Sequence, residues 1–446
     1  MKLKKISMFI LANLIGLSLM AEGYQLNTQS ARQLGMGHLG TALKLGGESM
    51  LFNPAGLSYM EGKVDLSLGA TAIFSKVKFT SGNYSAETDN PIGTPLFGYA
   101  GFKIIDNLYA GVSITNPAGN SLVWPDNWTG STYIQNISLK VFSVQPTISY
   151  KFNDHLSIGA GLMADFGSME MSKGIMPVGS VAAFLPLLPA QYHPIINNNL
   201  NVSPLDMNLS GKSGIGLGFN IGILYSPTER LSIGLSYRSK VMMKLEGGSA
   251  AISYGSPELQ TLFGMLSQSP NFPAAIKGAI ALNGAEFDAE LPIPSNTNLG
   301  IAWKATDKML LSAELQYVGW KAYDTLSIVF PNVKMNSPKN FSNTMIYRVG
   351  AEFYCTKNFI ARAGFVYDNT PSDLTLYTPD SPGSDKISVT TGFTYKAAKF
   401  MDVDFAFQYN QGVKTNGKYI QNNATLFGGD YKTTAFLPSL GLRFKF

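Results

Sequence analysis

Along much of the chain, apolar and polar side chains alternate one by one. Leu231, Ile233, Leu235 and Tyr237 alternate with Ser232, Gly234, Ser236 and Arg238. Leu156, Ile158, Ala160, Leu162, Ala164 and Phe166 alternate with Ser157, Gly159, Gly161, Met163 and Asp165. At the end, Phe436, Pro438, Leu440, Leu442, Phe444 and Phe446 alternate with Leu437, Ser439, Gly441, Arg443 and Lys445. Successive strand side chains point to opposite faces, so each run has one greasy face and one small or polar face. A soluble sandwich alternates in the same way, but its strands are usually shorter. Runs of about ten residues are what a tilted membrane-crossing strand requires. Glycine on the inner face suits close approach of another backbone.

The connections between runs come in two kinds. Tight polar turns are expected at Asp106-Asn107, Asn153-Asp154, Pro227-Thr228, Thr306-Asp307, Lys357-Asn358 and Ala397-Ala398. Long irregular loops are expected near 80–92, 116–135, 167–208, 246–286, 322–340, 370–385 and 411–430. Short turns on one side and long loops on the other describe a transmembrane antiparallel β-barrel of about fourteen strands. Residues 63–446 are assigned to that barrel.

The start of the chain reads as an export signal over residues 1–21. Lys2, Lys4 and Lys5 precede an apolar stretch, Ile6 to Met20, and cleavage is expected after Ala21 or Gly23. Residues 22–62 lack strand alternation yet are too apolar for a loose tail. They are assigned to a plug inside the barrel; a separate periplasmic cap is the alternative.

Composition narrows the chemistry. Charged residues make up 14% and aromatics 12%, with 45 glycines, as suits a wall facing lipid. The net charge of +5 comes with no basic run, so nucleic acid is not an expected partner. Cys355 is the single cysteine and has no internal disulfide partner. His38, His155 and His193 have no Glu or Cys at metal-ligand spacing. No catalytic residue, metal or cofactor is expected.

Leu51-Phe52-Asn53-Pro54-Ala55-Gly56-Leu57, following a Leu-Gly-x-Gly segment, resembles the hatch of the FadL/TodX family. These are outer-membrane channels for long-chain fatty acids and other hydrophobic compounds. Ile114-Thr115-Asn116-Pro117-Ala118-Gly119, with Trp124-Pro125 and Trp128-Thr129-Gly130, is similar to that family's third strand and the loop after it. Leu235 to Lys240, Pro294 to Gly300, Tyr317 to Trp320 and Arg362 to Pro371 resemble later strands in the same order. Residues 22–50 are only loosely similar, and the long loops are largely this chain's own.

The resemblance implies passive uptake of hydrophobic small molecules, fatty acids first, by a monomer in the bacterial outer membrane. It implies three working parts. Asn53, Pro54 and Ala55 belong to the hatch. Asn116, Pro117 and Gly119 mark a kinked third strand that leaves a lateral opening into the membrane, where the residues alone are equally compatible with a strand end. The two longest loops carry Phe184, Leu185, Leu187 and Leu188, and Leu262, Phe263, Met265 and Leu266. Apolar patches of this size mark binding sites when exposed, and the resemblance places a ligand groove there; the alternative is that the two loops pack only on each other. Arg238, Arg348 and Arg362 are candidate partners for a carboxylate head group of a fatty acid, detergent or lipid, or else for wall carboxylates. The alternative function is an adhesin or structural barrel whose loops bind another surface; a general water-filled porin ranks behind both.

Overall fold

A computed structural model describes residues 23–446, and the export signal expected over residues 1–21 lies outside them. Fourteen antiparallel strands form a closed wall. Strand β1 is Val64–Thr71, continued as Phe74–Ser81; β2 is Leu96–Ile105; β3 is Leu108–Thr115, continued as Gly119–Val123. Next come β4, Asn136–Lys151; β5, Leu156–Gly174; β6, Leu205–Lys212 and Gly216–Thr228; and β7, Leu231–Arg238 and Val241–Tyr254. Then follow β8, Glu286–Ile293 and Asn296–Thr306; β9, Met309–Val318 and Thr325–Val329; and β10, Lys334–Pro338 and Thr344–Tyr354. The last four are β11, Phe359–Asp368; β12, Lys386–Ala398; β13, Met401–Gly412 and Thr415–Gln421; and β14, Ala424–Lys445.

Each strand pairs with the next, and β14 returns to β1, with Asp65 opposite Lys445 and Thr71 opposite Ser439. Closure removes the sheet edges that lipid could not satisfy. The alternation sorts the faces as expected. In β6, Leu217, Phe219, Ile221 and Ile223 face outward and are exposed, while Asn220, Leu224 and Ser226 face inward and are buried. Exposed Tyr225, Trp303, Tyr317, Tyr347 and Tyr395 add interfacial aromatics to the outer surface. No helix among the described residues is long and apolar enough to cross a membrane.

Several connections differ from the sequence reading. Pro227-Thr228 lies in β6, and the turn is Glu229-Arg230, because a bulge between Tyr225 and Thr228 carries the strand further. The turn expected at Thr306-Asp307 falls at Asp307-Lys308, and the one at Ala397-Ala398 at Lys399-Phe400. Most expected loops are shorter. Residues 167–174 extend β5, 246–254 extend β7, and 415–421 pair with β14 above the apolar band. These extensions are covered on both faces or lie in water, so alternation no longer marks them.

Residues 24–60 lie within the ring and touch inward-facing residues of most strands. They fold as two single-turn helices, Ala31–Leu34 and Ser49–Phe52, and two 3-10 turns, Gly46–Glu48 and Pro54–Tyr59. Glycines make the fit possible. A Cβ on Gly159 would collide with Pro54, one on Gly234 with the Thr41 carbonyl, and one on Gly364 with Met36. Several of these glycines are cross-strand partners: Gly101 faces Gly111, Gly159 faces Gly222, Gly234 faces Gly300 and Gly350 faces Gly364.

Candidate functional site

The ladder between β2 and β3 ends at Phe97 opposite Thr115. Pro117, two residues on, has no amide hydrogen to extend it. Asn116 replaces the ladder with its side chain: Oδ1 accepts from the Leu96 amide at 2.9 Å, and Nδ2 donates to the Val141 carbonyl at 2.8 Å. The chain then turns toward the interior. The Leu26 amide donates to the Pro117 carbonyl at 3.0 Å, and the Gly119 amide donates to the Tyr24 carbonyl at 2.9 Å. Gln29 Nε2 donates to the Asn116 carbonyl at 2.8 Å. Toward β2, backbone bonding resumes only where the Asp89 amide donates to the Val123 carbonyl at 2.9 Å. Among the described residues, no backbone bond joins residues 117–122 to residues 91–95. Ile92, Leu96 and Ile114, each more than half exposed, flank this break on the lipid side.

Behind the break lies an internal cavity of about 60 Å³, lined by Gln25, Leu26, His38, Phe52, Pro117 and Arg238 among others. Two of the three candidate arginines are committed elsewhere. Arg348 pairs with Glu314 at 3.3 Å, and Arg362 pairs with Glu352 at 2.7 Å and with Asp404 at 3.6 Å. Removing one member of such a buried pair leaves a costly unpaired charge, so these arginines are held by the wall. Arg238 has no carboxylate within 4.0 Å among the described residues and touches Met163 Sδ at 3.2 Å. His38 Nε2 lies 2.9 Å from Gln29 Oε1. Burial, then the charges of Arg348 and Arg238, holds its imidazole well below the ordinary histidine range.

The Asn53-Pro54-Ala55 stretch is fastened to the wall. Asn53 Oδ1 accepts from the Ala55 amide at 3.1 Å, capping the 3-10 turn, and Pro54 occupies its first position. Asn53 Nδ2 donates to the carbonyls of Thr41 at 2.7 Å and Ile223 at 2.9 Å. The Ala55 carbonyl accepts from the hydroxyls of Ser149 and Ser157, both at 3.1 Å. An ionic layer secures the neighbouring turn. Glu48 accepts from Ser30 Oγ at 2.8 Å and Ser67 Oγ at 2.6 Å, and the Gly47 amide donates to Asp65 Oδ2 at 3.2 Å. Burial, with the Asp404 charge adding to it, pushes the Glu48 carboxyl above the usual range.

The two longest outer connections, 175–204 and 255–285, fold on each other. Phe184, Leu262 and Phe263 are at most 2% exposed. Phe184 meets Phe263 edge to face at 6.0 Å and stacks on Phe272 at 6.2 Å. Leu185, Leu188 and Leu266 are half-buried and Met265 is exposed; the side chain of Leu187 lies outside those described. The loop expected near 370–385 is present but turns inward. Residues 377–384, within an expected outer loop, are all buried, with Trp124 Nε1 donating to the Pro379 carbonyl at 3.0 Å. Lys339 Nζ reaches Asp380 Oδ2 at 3.1 Å, with side chains 2% and 0% exposed. Nothing in this Ser-, Pro- and Gly-rich stretch signals that it turns inward. His155 and His193 contact backbone carbonyls, and no metal-ligand cluster occurs among the described residues.

A family model described as "Outer membrane protein transport protein (OMPP1/FadL/TodX)" matches residues 13–446. The long-chain fatty acid transport protein of Escherichia coli K12 is 24% identical over 454 residues, covering 96% of this chain and 97% of that protein. Outer membrane protein P1 of Haemophilus influenzae is 21% identical, covering 90% and 88%. Among solved structures, a Pseudomonas aeruginosa FadL homologue superposes with a TM-score of 0.78 at 20% identity, covering 95% of this chain and all of that one. The P. putida toluene transporter TodX gives 0.68 at 15% identity, covering 96% and 99%.

Proposed function

The chain belongs to the OMPP1/FadL/TodX family of outer membrane transport proteins, and from that premise we propose that it is a passive channel for hydrophobic small molecules, with long-chain fatty acids first among them. The observation that carries the reading is a buried cavity lined by an unpaired arginine on one side and by the broken third strand on the other. In this reading residues 24–60 are a plug, and solute leaves sideways past Asn116, Pro117 and Gly119. The cavity as it stands has room for a carboxylate or a few waters, not for an acyl chain, since ligand sites typically measure ~300 Å³ or more. Passage therefore requires the Tyr24–Leu26 strip to release Pro117–Gly119. Two backbone hydrogen bonds, of about 1 kcal/mol each, hold it there, together with Gln29 Nε2 on the Asn116 carbonyl and the buried Tyr24 ring packed edge-on against Trp320 and Tyr323. Arg238 is the head-group partner, because among the described residues no carboxylate lies within 4.0 Å of it and the wall's Asp165 acts on it only from further away. Leu185, Leu188, Met265 and Leu266 form the surface on which solute first settles, resting on the buried Phe184, Leu262 and Phe263. The toluene and fatty acid relatives differ in cargo, and the unpaired Arg238 favours an acid over a hydrocarbon.

The test uses a disulfide between cysteines at Gln25 and Ala118, which are bridge partners, with Cys355 replaced. Oleate uptake by cells producing this variant should fall at least tenfold and return on reduction. Uptake that is the same oxidised and reduced overturns lateral release at β3.

A further inference from the structure

The wall breaks a second time, between β6 and β7. Pairing runs from the turn up to Asn220 opposite Arg238 and one bond further, the Ser239 amide donating to the Phe219 carbonyl at 2.8 Å; it resumes only where the Gly214 amide donates to the Lys244 carbonyl at 3.0 Å, beside an isolated bridge between Ser213 and Leu245. The edge of this break is built like the edge of the first. There, Asn116 Oδ1 takes the Leu96 amide at 2.9 Å. Here, Ser239 Oγ takes the Phe219 amide at 2.9 Å. Beyond Ser239, neither Ile215 nor Lys240 has a backbone hydrogen bond among the described residues. Unpaired backbone at membrane depth is tolerated where it borders a cavity or a protein surface, not where it meets lipid alone.

The side chains tell the same story. Leu217, Ile215 and Leu162, at 76%, 70% and 69%, are the most exposed large apolar residues described, and they lie together on this stretch of wall. Inside it, Gly216 and Gly218 offer no side chains. The side chain of Val241, 1% exposed, reaches both: its Cγ1 is 2.7 Å from a Cβ built on Gly216, as close as the Met242 carbonyl, and its Cγ2 is 2.6 Å from one built on Gly218, beside Met163 Cε at 2.7 Å. Immediately inward are Met163 and the Arg238-Ser239 wall of the cavity whose opposite wall is Pro117. The skipped stretch between β8 and β9 differs, because the buried rings of Trp320 and Tyr323 fill it.

We propose that the β6–β7 seam is a second side port for apolar solutes, closed by Val241, so that the cavity communicates with lipid on two sides. The proposal rests on the channel reading above. Uptake through the seam does not depend on β3, which keeps the two separable.

The test combines the Gln25–Ala118 disulfide with variants at the seam. Val241→Ala should raise oleate uptake severalfold, and should keep uptake well above background when the β3 disulfide is formed. A second disulfide, Gly218→Cys with Val241→Cys, should lower uptake when formed alone and abolish it with both formed. A diazirine-bearing fatty acid should label residues 215–218 and 239–243 in wild type. Heat-modifiable migration of each barrel verifies folding. If Val241→Ala leaves uptake unchanged with β3 sealed and no label falls on 215–243, the seam is shut and the proposal is overturned. If β3 sealing alone has no effect while the seam variants do, lateral release at β3 fails and the seam stands.

Discussion

Asn53 in the plug and Ile223 in the wall are joined directly: Asn53 Nδ2 donates to the Ile223 carbonyl at 2.9 Å. The same amide group holds Thr41 at 2.7 Å, so one side chain ties two parts of the plug to β6. Asn53→Ala strips the donor from both carbonyls and the cap from Ala55, at about 1–3 kcal/mol for buried groups left unsatisfied. The expected result is a barrel that assembles normally yet shows frequent brief openings in planar bilayers. Unchanged current would mean that the seat does not depend on this residue.

Deleting residues 24–60 should give a larger effect of the same kind. The outer apolar band belongs to the strands, whereas the deleted residues face inward and are nearly all buried. The truncated chain should insert and conduct ions steadily. A truncation as electrically silent as the intact protein would refute the plug.

Two loop substitutions should part company. Phe263 is 1% exposed inside a cluster with Phe184 and Phe272, so Phe263→Asp buries a charge without a partner. It should loosen both loops, detected as new protease cleavage within 175–204 and 255–285. Met265 is 45% exposed. Met265→Asp should leave the loops resistant to protease but weaken capture of oleate. Equal protease sensitivity would place Met265 in the core instead.

Arg238→Met keeps the bulk of the side chain and removes the charge. A charge-assisted hydrogen bond contributes ~1.5–3 kcal/mol, so oleate affinity should drop about tenfold to a hundredfold. Binding of toluene, which has no head group, should be unaffected, as judged by quenching of intrinsic fluorescence. Arg348→Met should instead destabilise the barrel by removing the counter-charge of Glu314, which keeps only the Gly40 and Thr41 amides.

His38 should give the seating of residues 24–60 a pH dependence, and its burial sets the sign. Its folded value is held well below the ordinary 6.5, chiefly by burial and then by Arg348 and Arg238. A plug released into water would bind a proton that the seated plug refuses. Seating is therefore unaffected by this group above the ordinary value, and weakens as pH falls below it, until the folded value is reached. Ion leak should rise on acidification through that window, and the rise should be smaller in His38→Gln. Identical profiles for the two proteins would remove His38 from the account.

The wall was legible because its alternation is imposed by two different solvents, lipid outside and a packed interior within. Leu231 to Arg238 fall on the expected faces. Turn positions slipped where bulges add a residue, as before Thr228. The upper strand extensions were hidden because Met169 and Met171 are buried in the interior while their outward neighbours have left the lipid. The fate of the arginines was hidden for another reason: Glu314 and Glu352, which neutralise Arg348 and Arg362, are brought alongside only by strand register. Asn116 and Ser239 look alike in the fold and unlike in sequence. Each acts as a backbone acceptor, and many polar side chains can do that.

The clamp between Asp65 and Arg443 spans 378 positions, from the first strand to the last, with contacts of 3.1 and 2.6 Å. The Gly47 amide rests on the same carboxylate at 3.2 Å. The cradle for the N-terminal segment thus exists only after the final strand has arrived. A nascent barrel is an open gutter until then, and it becomes watertight in the same event that makes it a cylinder. Loss of the C-terminal strand should therefore be felt first as a leaking cell envelope, before any failure to take up solute.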